Sequence, residues 1–226
     1  KTDIKNDQYG VKFYAMEAIA KKNSGTLSAQ VREYILTKIL NGEFEPGERL
    51  IEMKIAHQMQ TSQAPVREAI RELEATGLIE TLPNRGSRVR KVSNQELFDI
   101  YDVRAQLEGY AGEIVCEKKI SISNELIEAV ERMIEAANRD KLMLFSSINH
   151  EFHSIIIKNA GNEILLKTWQ TLHIQIKTFL IADRQDKNLL EMANSHYQII
   201  EAFKVFDPIR ARNEIINHIH HNRPFI

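Results

Sequence analysis

Between Leu50 and Arg90 helix starts, helix stops and turn signals follow so closely that few folds accommodate them. Ile51, Ile55 and Met59 recur every four residues and predict a short helix over 51–59. Gln60-Thr61-Ser62 is a polar turn, and a longer helix is predicted over 63–76. Ser62 is a good N-cap type, and Pro65 falls in the first turn, where a missing N–H costs nothing. Gly77 is placed to end that helix in the left-handed conformation. Two β-leaning runs, 78–82 and 87–92, flank Pro83-Asn84-Arg85-Gly86 and predict a hairpin. Helix, turn, helix and hairpin in this order describe a winged helix-turn-helix.

Periodicity divides the faces of the longer helix. Val66, Ile70 and Leu73 form the face for burial, while Gln63, Arg67 and Arg71 recur every four residues on another. An amide and two guanidiniums can pair bidentately with base edges or clamp phosphates. The hairpin adds Arg85, Arg88, Arg90 and Lys91 around Gly86, a basic tip suited to the phosphate backbone or the minor groove. The candidate DNA-binding residues are Ser62, Gln63, Ala64, Arg67, Arg71, Arg85, Gly86 and Arg88. A solvated charged helix beside a turn is the bland alternative for either half taken alone.

The same stretch resembles the DNA-binding domain of the GntR family of bacterial transcription regulators. Pro46-Gly47-Glu48-Arg49-Leu50, Ala56, the run Ser62 to Leu73 with its PVREA core, Gly77-Leu78-Ile79 and Asn84-Arg85-Gly86 carry the likeness, over roughly residues 27–92. Two positions depart from the family. Gln63 stands where it usually has Arg, and Gln60-Thr61 fill a turn where it usually has Gly. Gln favours adenine N6/N7 where Arg favours guanine O6/N7, so the resemblance implies an operator altered at that step.

Composition sets outer bounds. The chain has 226 residues, room for one large or two modest domains, with 43% hydrophobic residues. Its net charge of −1 advertises no nucleic-acid partner, so DNA binding has to rest on local patches. A single cysteine, Cys116, excludes an internal disulfide framework and fits a reducing cytoplasm. No apolar run is long enough for a transmembrane helix, and no signal peptide is evident, so a soluble, cytoplasmic protein without a membrane partner is expected.

Residues 1–25 read as an N-terminal extension, partly amphipathic over about 8–20 or else a mobile tail. Residues 26–92 are assigned to the winged helix-turn-helix, its first helix predicted over 27–41 with Leu27, Val31, Ile35 and Ile39 as the buried stripe. Ser93-Asn94-Gln95-Glu96 is a capping box, so a new helix starts at once and residues 93–226 form the second domain. Helices are predicted there over 94–118, from Ser123 to 137, from Asp140 to 159, over 163–182, over 189–205, and from Asp207-Pro208 to 221. No strand signal competes. The fold class is mainly α: a winged helix-turn-helix followed by an all-α antiparallel bundle.

His153, His196 and His218 fall on three predicted helices among core-facing neighbours, with Asn149 one turn before His153. Two roles are open at this point: core histidines with satisfied hydrogen bonds, the usual role of a lone histidine on an apolar face, or ligands of one ion inside the bundle. His150, His173, His220 and His221 read as surface or incidental.

This segment in turn resembles the all-helical effector domain (FCD type) of the fatty-acid-regulator branch of the GntR family. Arg104-x-x-Leu107-Glu108, Asn149-x-x-Phe152-His153, Ala160-Gly161-Asn162, His196-x-x-Ile199-Ile200-x-Ala202, Asp207, Ala211 and His218 carry the likeness. It implies a divalent metal such as zinc or nickel held by Asn149, His153, His196 and His218, with Asn149 replacing the family's Asp by a neutral, weaker ligand. It also implies an organic-acid effector that completes the coordination sphere. Arg104 is its candidate carboxylate clamp; a salt bridge within the bundle is the alternative.

Together these point to a ligand-responsive transcription regulator acting as a repressor, a homodimer on a pseudo-palindromic DNA operator, with a small carboxylate effector bound in the bundle. It is not expected to be an enzyme. The rivals are a regulator that senses the metal itself, a metal-dependent hydrolase, and a metal-free pocket for a larger or neutral effector.

Overall fold

A computed structural model describes residues 25–40, 42–172 and 188–223. The chain divides into two compact units, residues 1–92 and 93–226. The amphipathic stretch expected over 8–20 lies outside the described residues.

In the first unit α1 (Leu27–Leu40) is followed by β1 (Arg49–Leu50), α2 (Glu52–Gln58), α3 (Gln63–Ala75), β2 (Ile79–Leu82) and β3 (Gly86–Val89). Val31, Ile35 and Ile39 of α1 meet Val66, Ile70 and Leu73 of α3 in the core, as their four-residue spacing requires. Burying side chains of this size contributes roughly 1.5–3 kcal/mol each. Arg32 of α1 reaches Glu72 of α3 at 2.5 Å and ties the two helices at their edge.

Two apolar residues expected in stripes are exposed. Leu27 opens α1 and is 55% exposed, being in the first turn, beyond the edge of the core. Ile51 is the N-cap of α2, in extended backbone (φ −93°, ψ 104°), so its side chain leaves the helical stripe. Ser62 occupies the N-cap of α3 but makes no side-chain cap bond. Gly77 is left-handed (φ 77°), as a helix-ending glycine should be.

The sheet order is β1-β3-β2, all antiparallel, with Leu82 opposite Gly86 across the hairpin and Arg49 opposite Arg88. Asn84 (φ 59°) and Gly86 (φ 76°) make the turn. Strand β1 was not foreseeable: two residues carry no period.

The second unit is helical among the described residues: α4 (Asn94–Glu117), α5 (Ser123–Asn138), α6 (Leu142–Asn159), α7 (Glu163–Thr171), α8 (Leu189–Ser195), α9 (Tyr197–Lys204) and α10 (Pro208–His221). Ser93 accepts from Glu96 N at 3.1 Å, so the capping signal starts α4 where it was read. Asn162 and Asp207 cap α7 and α10 in the same way.

Ser123 and Asp140 do not cap. Buried Ile122 is the N-cap of α5, so packing rather than the hydroxyl sets that start. Asp140 is left-handed (φ 51°) after α5, and α6 begins at Leu142. The stretch expected as one helix over 189–205 is two, joined at His196. Past Leu172, the helix expected to reach 182 runs outside the described residues.

Helix α4 packs against α10 through a glycine seam. A Cβ on Gly112 would sit 2.4 Å from Ile215 Cδ1, and one on Gly109 2.9 Å from Ile216 Cγ1 and 3.3 Å from the Arg212 carbonyl. Phe152 of α6 and Phe203 of α9 are buried in the core. No described helix is long and apolar enough to cross a membrane.

Candidate functional site

The first candidate surface is built by α3 and the wing. Arg67 and Arg71 are exposed on one face of α3, and Gln63 is half-buried at its start. Arg67 is held in place: its Nε donates to Glu52 Oε2 at 2.9 Å and its Nη2 to Gln63 Oε1 at 3.2 Å. Ser62 and Ala64 are exposed beside them.

On the wing Arg85 and Gly86 are exposed, while Arg88 is half-buried and pairs with Glu80 at 2.6 Å. Arg49 is an addition. Strand β1 carries it to the wing tip, where its guanidinium lies 3.5 Å from where a Cβ on Gly86 would be. The signal for Arg49 was present in Pro-Gly-Glu-Arg-Leu, but its pairing with β3 was not legible there.

The second candidate site lies inside the helical unit. Helix α6 supplies His153, the α8–α9 joint His196, and α10 His218; all three are buried. One ring nitrogen from each lies within 4.8 Å of the others, a group able to hold a metal ion. Ring centroids are 5.5 Å apart for 153–196, 5.4 Å for 153–218 and 4.1 Å for 196–218.

The outward hydrogen bonds set the tautomers. His196 Nδ1 faces the carbonyls of Met192 at 2.9 Å and Ala193 at 3.2 Å, so it carries the proton, and its buried Nε2 has no partner. His153 Nδ1 lies 2.6 Å from Glu108 Oε2. The contact does not meet hydrogen-bond geometry, and neither atom has another partner.

His218 Nδ1 lies 3.1 Å from Ser195 Oγ. Ser195 gives its one proton to the Met192 carbonyl at 2.7 Å, so it accepts from the imidazole. Asn222 Nδ2, 3.3 Å from the same ring nitrogen, has its N–H groups directed at the His218 carbonyl (2.9 Å) and Ser195 Oγ (3.5 Å). With Nδ1 of His196 and His218 bonded outward and that of His153 turned to the Glu108 carboxylate, the three Nε2 atoms are left for the centre.

The rings are neutral. Burial, reinforced by His153, pushes His196 down to about 3, and burial with the other rings holds His218 well below the usual histidine range. Burial also lowers His153, outweighing Glu108. Neutral imidazoles are the form that ligates a metal.

A buried polar network adjoins the three rings. Glu108 Oε1 accepts from Arg104 Nε at 2.7 Å and from the Trp169 indole N–H at 2.6 Å. Burial works to raise Glu108, but the Arg104 charge overrides it and keeps the carboxylate ionised. Burial alone would lower Arg104, and Glu108 and Tyr101 more than restore it. Arg104 is thus a salt-bridged residue of the bundle, its Nε edge committed.

His150, read as incidental, stacks on Trp169 with centroids 4.9 Å apart, and burial, with Arg104 next, lowers it to about 4. His220 Nε2 lies 3.4 Å from Asp102 Oδ1, apart from the three-ring cluster. His221 is exposed, and His173 lies outside the described residues. Asn149 is half-buried one turn before His153 on α6.

Residues 27–89 match the model of the bacterial regulatory proteins of the gntR family, and residues 99–221 match the FCD domain. The chain belongs to the GntR family. A relative described as the "probable D-xylose utilization operon transcriptional repressor" of Paenarthrobacter nicotinovorans is 34% identical, over 90% of this chain and 91% of its own. The Nta operon transcriptional regulator of Aminobacter aminovorans is 30% identical over 68% of this chain and 73% of its own. Among solved structures, a GntR regulator from Rhodococcus sp. RHA1 shares the fold, with a TM-score of 0.69 at 20% identity over 87% of this chain and 95% of that one. This GntR chain is therefore a DNA-binding transcriptional regulator with an FCD domain, not an enzyme, and the hydrolase reading falls away.

Proposed function

We propose that this GntR regulator is a ligand-responsive repressor that acts in the cytoplasm as a homodimer on a pseudo-palindromic operator. Arg67 and Arg71 of α3, with Gln63, read the major groove, Ser62 and Ala64 line the helix start, and Arg85, Gly86 and Arg88 of the wing meet the backbone or minor groove. Arg67, already fixed by Glu52 and Gln63, enters the groove with little ordering cost.

In the helical unit His153, His196 and His218 hold a divalent ion of the zinc or nickel kind, with Asn149 the candidate fourth protein ligand. The observation that carries this reading is the convergence of three neutral imidazoles whose Nδ1 atoms all face groups outside the cluster, above all the partnerless Nε2 of His196. Bound there, the ion supplies a Lewis-acidic anchor for the carboxylate of a small organic acid. Arg104, beside Glu108, is the candidate group to orient that effector. The effector shifts operator affinity by its differential affinity for the two states of the regulator.

Two measurements test the proposal. Metal analysis of purified protein should find one ion per chain, lost in His196→Ala. Gel-shift titration on the DNA upstream of its own gene should give a shift that Arg67→Ala abolishes at moderate salt; no shift at low salt removes the DNA reading.

Metal sensing is the second reading, favoured by the engagement of Arg104 with Glu108. It predicts that chelation releases the operator while organic acids do not.

A further inference from the structure

Glu108 is a fully buried carboxylate on α4, and both of its oxygens are committed inside the bundle. Oε1 takes Arg104 and Trp169; Oε2 lies 2.6 Å from His153 Nδ1. No other negative group approaches the three rings as closely among the contacts of the described residues. His196 and His218 are oriented by a carbonyl and a hydroxyl, whereas His153 alone faces a charge.

We propose that Glu108 is the positioning residue of the metal centre: its carboxylate fixes the Nδ1–H tautomer and ring plane of His153 and makes its Nε2 a stronger donor to the ion. The role presupposes the metal centre proposed above. A ligating histidine commonly hands its second ring N–H to such a carboxylate, and losing that partner typically costs about 10- to 100-fold in metal affinity. Arg104 keeps the carboxylate ionised, and Trp169 with Arg104 pins Oε1 so that Oε2 stays against the ring.

The test is Zn²⁺ titration of the full chain against a chromophoric chelator, wild type beside Glu108→Gln. The isosteric amide should weaken binding about 10- to 100-fold while stoichiometry stays at one. Nitrogen NMR of the metal-free protein should show His153 as the Nδ1–H tautomer in wild type and a mixture in the variant. A purely structural carboxylate would move neither the tautomer nor the affinity of a folded variant.

Removing one member of a buried ion pair can unfold the unit. The double variant Arg104→Gln/Glu108→Gln, measured against wild type, therefore removes the carboxylate without leaving a stranded charge. Equal Zn²⁺ affinity with and without Glu108, while His196→Ala abolishes binding, overturns the role of Glu108 and leaves the metal centre standing. If wild type binds no Zn²⁺, both fall.

Discussion

Acidifying the metal-free protein should destabilise the helical unit steeply, in a pH range where ordinary carboxylates contribute little. His153, His196 and His218 are held neutral by burial, with His196 brought down to about 3, while in the unfolded chain each titrates near 6.5. A histidine with a lowered folded-state value contributes stability that is intact above 6.5 and is lost as pH falls toward that value. From about pH 6.5 to about pH 5.5 a ring held as low as His196 costs about 1 kcal/mol, and His153 and His218 act in the same direction. His150, lowered to about 4, adds to the fall. Glu108, lowered instead, stays ionised throughout and adds nothing.

The assay is urea unfolding in chelator, followed by tryptophan fluorescence. The chain has one Trp, Trp169, so the signal reports the helical unit alone. In His196→Gln the fall should shrink by about 1 kcal/mol. An unfolding free energy that is flat over this interval, or a fall unchanged by His196→Gln, would refute the neutral buried cluster.

Other expectations follow from single contacts. Gln60 is held at φ 51°, a conformation that costs a side-chain-bearing residue roughly 1–2 kcal/mol, so Gln60→Gly should raise the unfolding free energy in urea by about 0.5–1 kcal/mol net of glycine's entropy; a lower unfolding free energy speaks against strain at that turn. Gly109→Ala should cost about 1–3 kcal/mol, because its Cβ meets Ile216 and a backbone carbonyl, and calorimetry should show no such loss for Gly42→Ala beyond the cost of its left-handed φ. Glu52→Gln removes a carboxylate beside Arg67 in a pair exposed enough to matter little for folding, so non-specific DNA affinity at low salt should rise with Tm nearly unchanged; unaltered DNA affinity would place Glu52 away from the duplex.

What the sequence disclosed follows the range of the forces involved. The winged helix-turn-helix was legible because its signals are local: Gly77 at a helix end, Asn84-Arg85-Gly86 in a turn, Val66, Ile70 and Leu73 at helical spacing. The Ser93 cap was legible for the same reason. Where packing overrides a local preference, the reading failed: buried Ile122 displaced Ser123 as a cap, and the chain tightened at His196 within an apparently continuous stripe. The three histidines were recognisable as candidates by their apolar neighbours, but their convergence depends on how α6, α9 and α10 pack. Glu108 beside His153, and His150 stacked on Trp169, join residues far apart in the chain, and nothing local marks them.

The glycine seam gives the three-histidine cluster unequal sides. His218 rides on α10, packed so closely on α4 that a methyl group at Gly112 or Gly109 would have to displace Ile215 or Ile216, and that jaw has little slack. His196 stands at the break between two short helices, where a few degrees of backbone rotation swing its ring. Ions of different radius would then be accommodated by the α8–α9 joint, and the size of what sits between the rings would be written into the angle of that elbow.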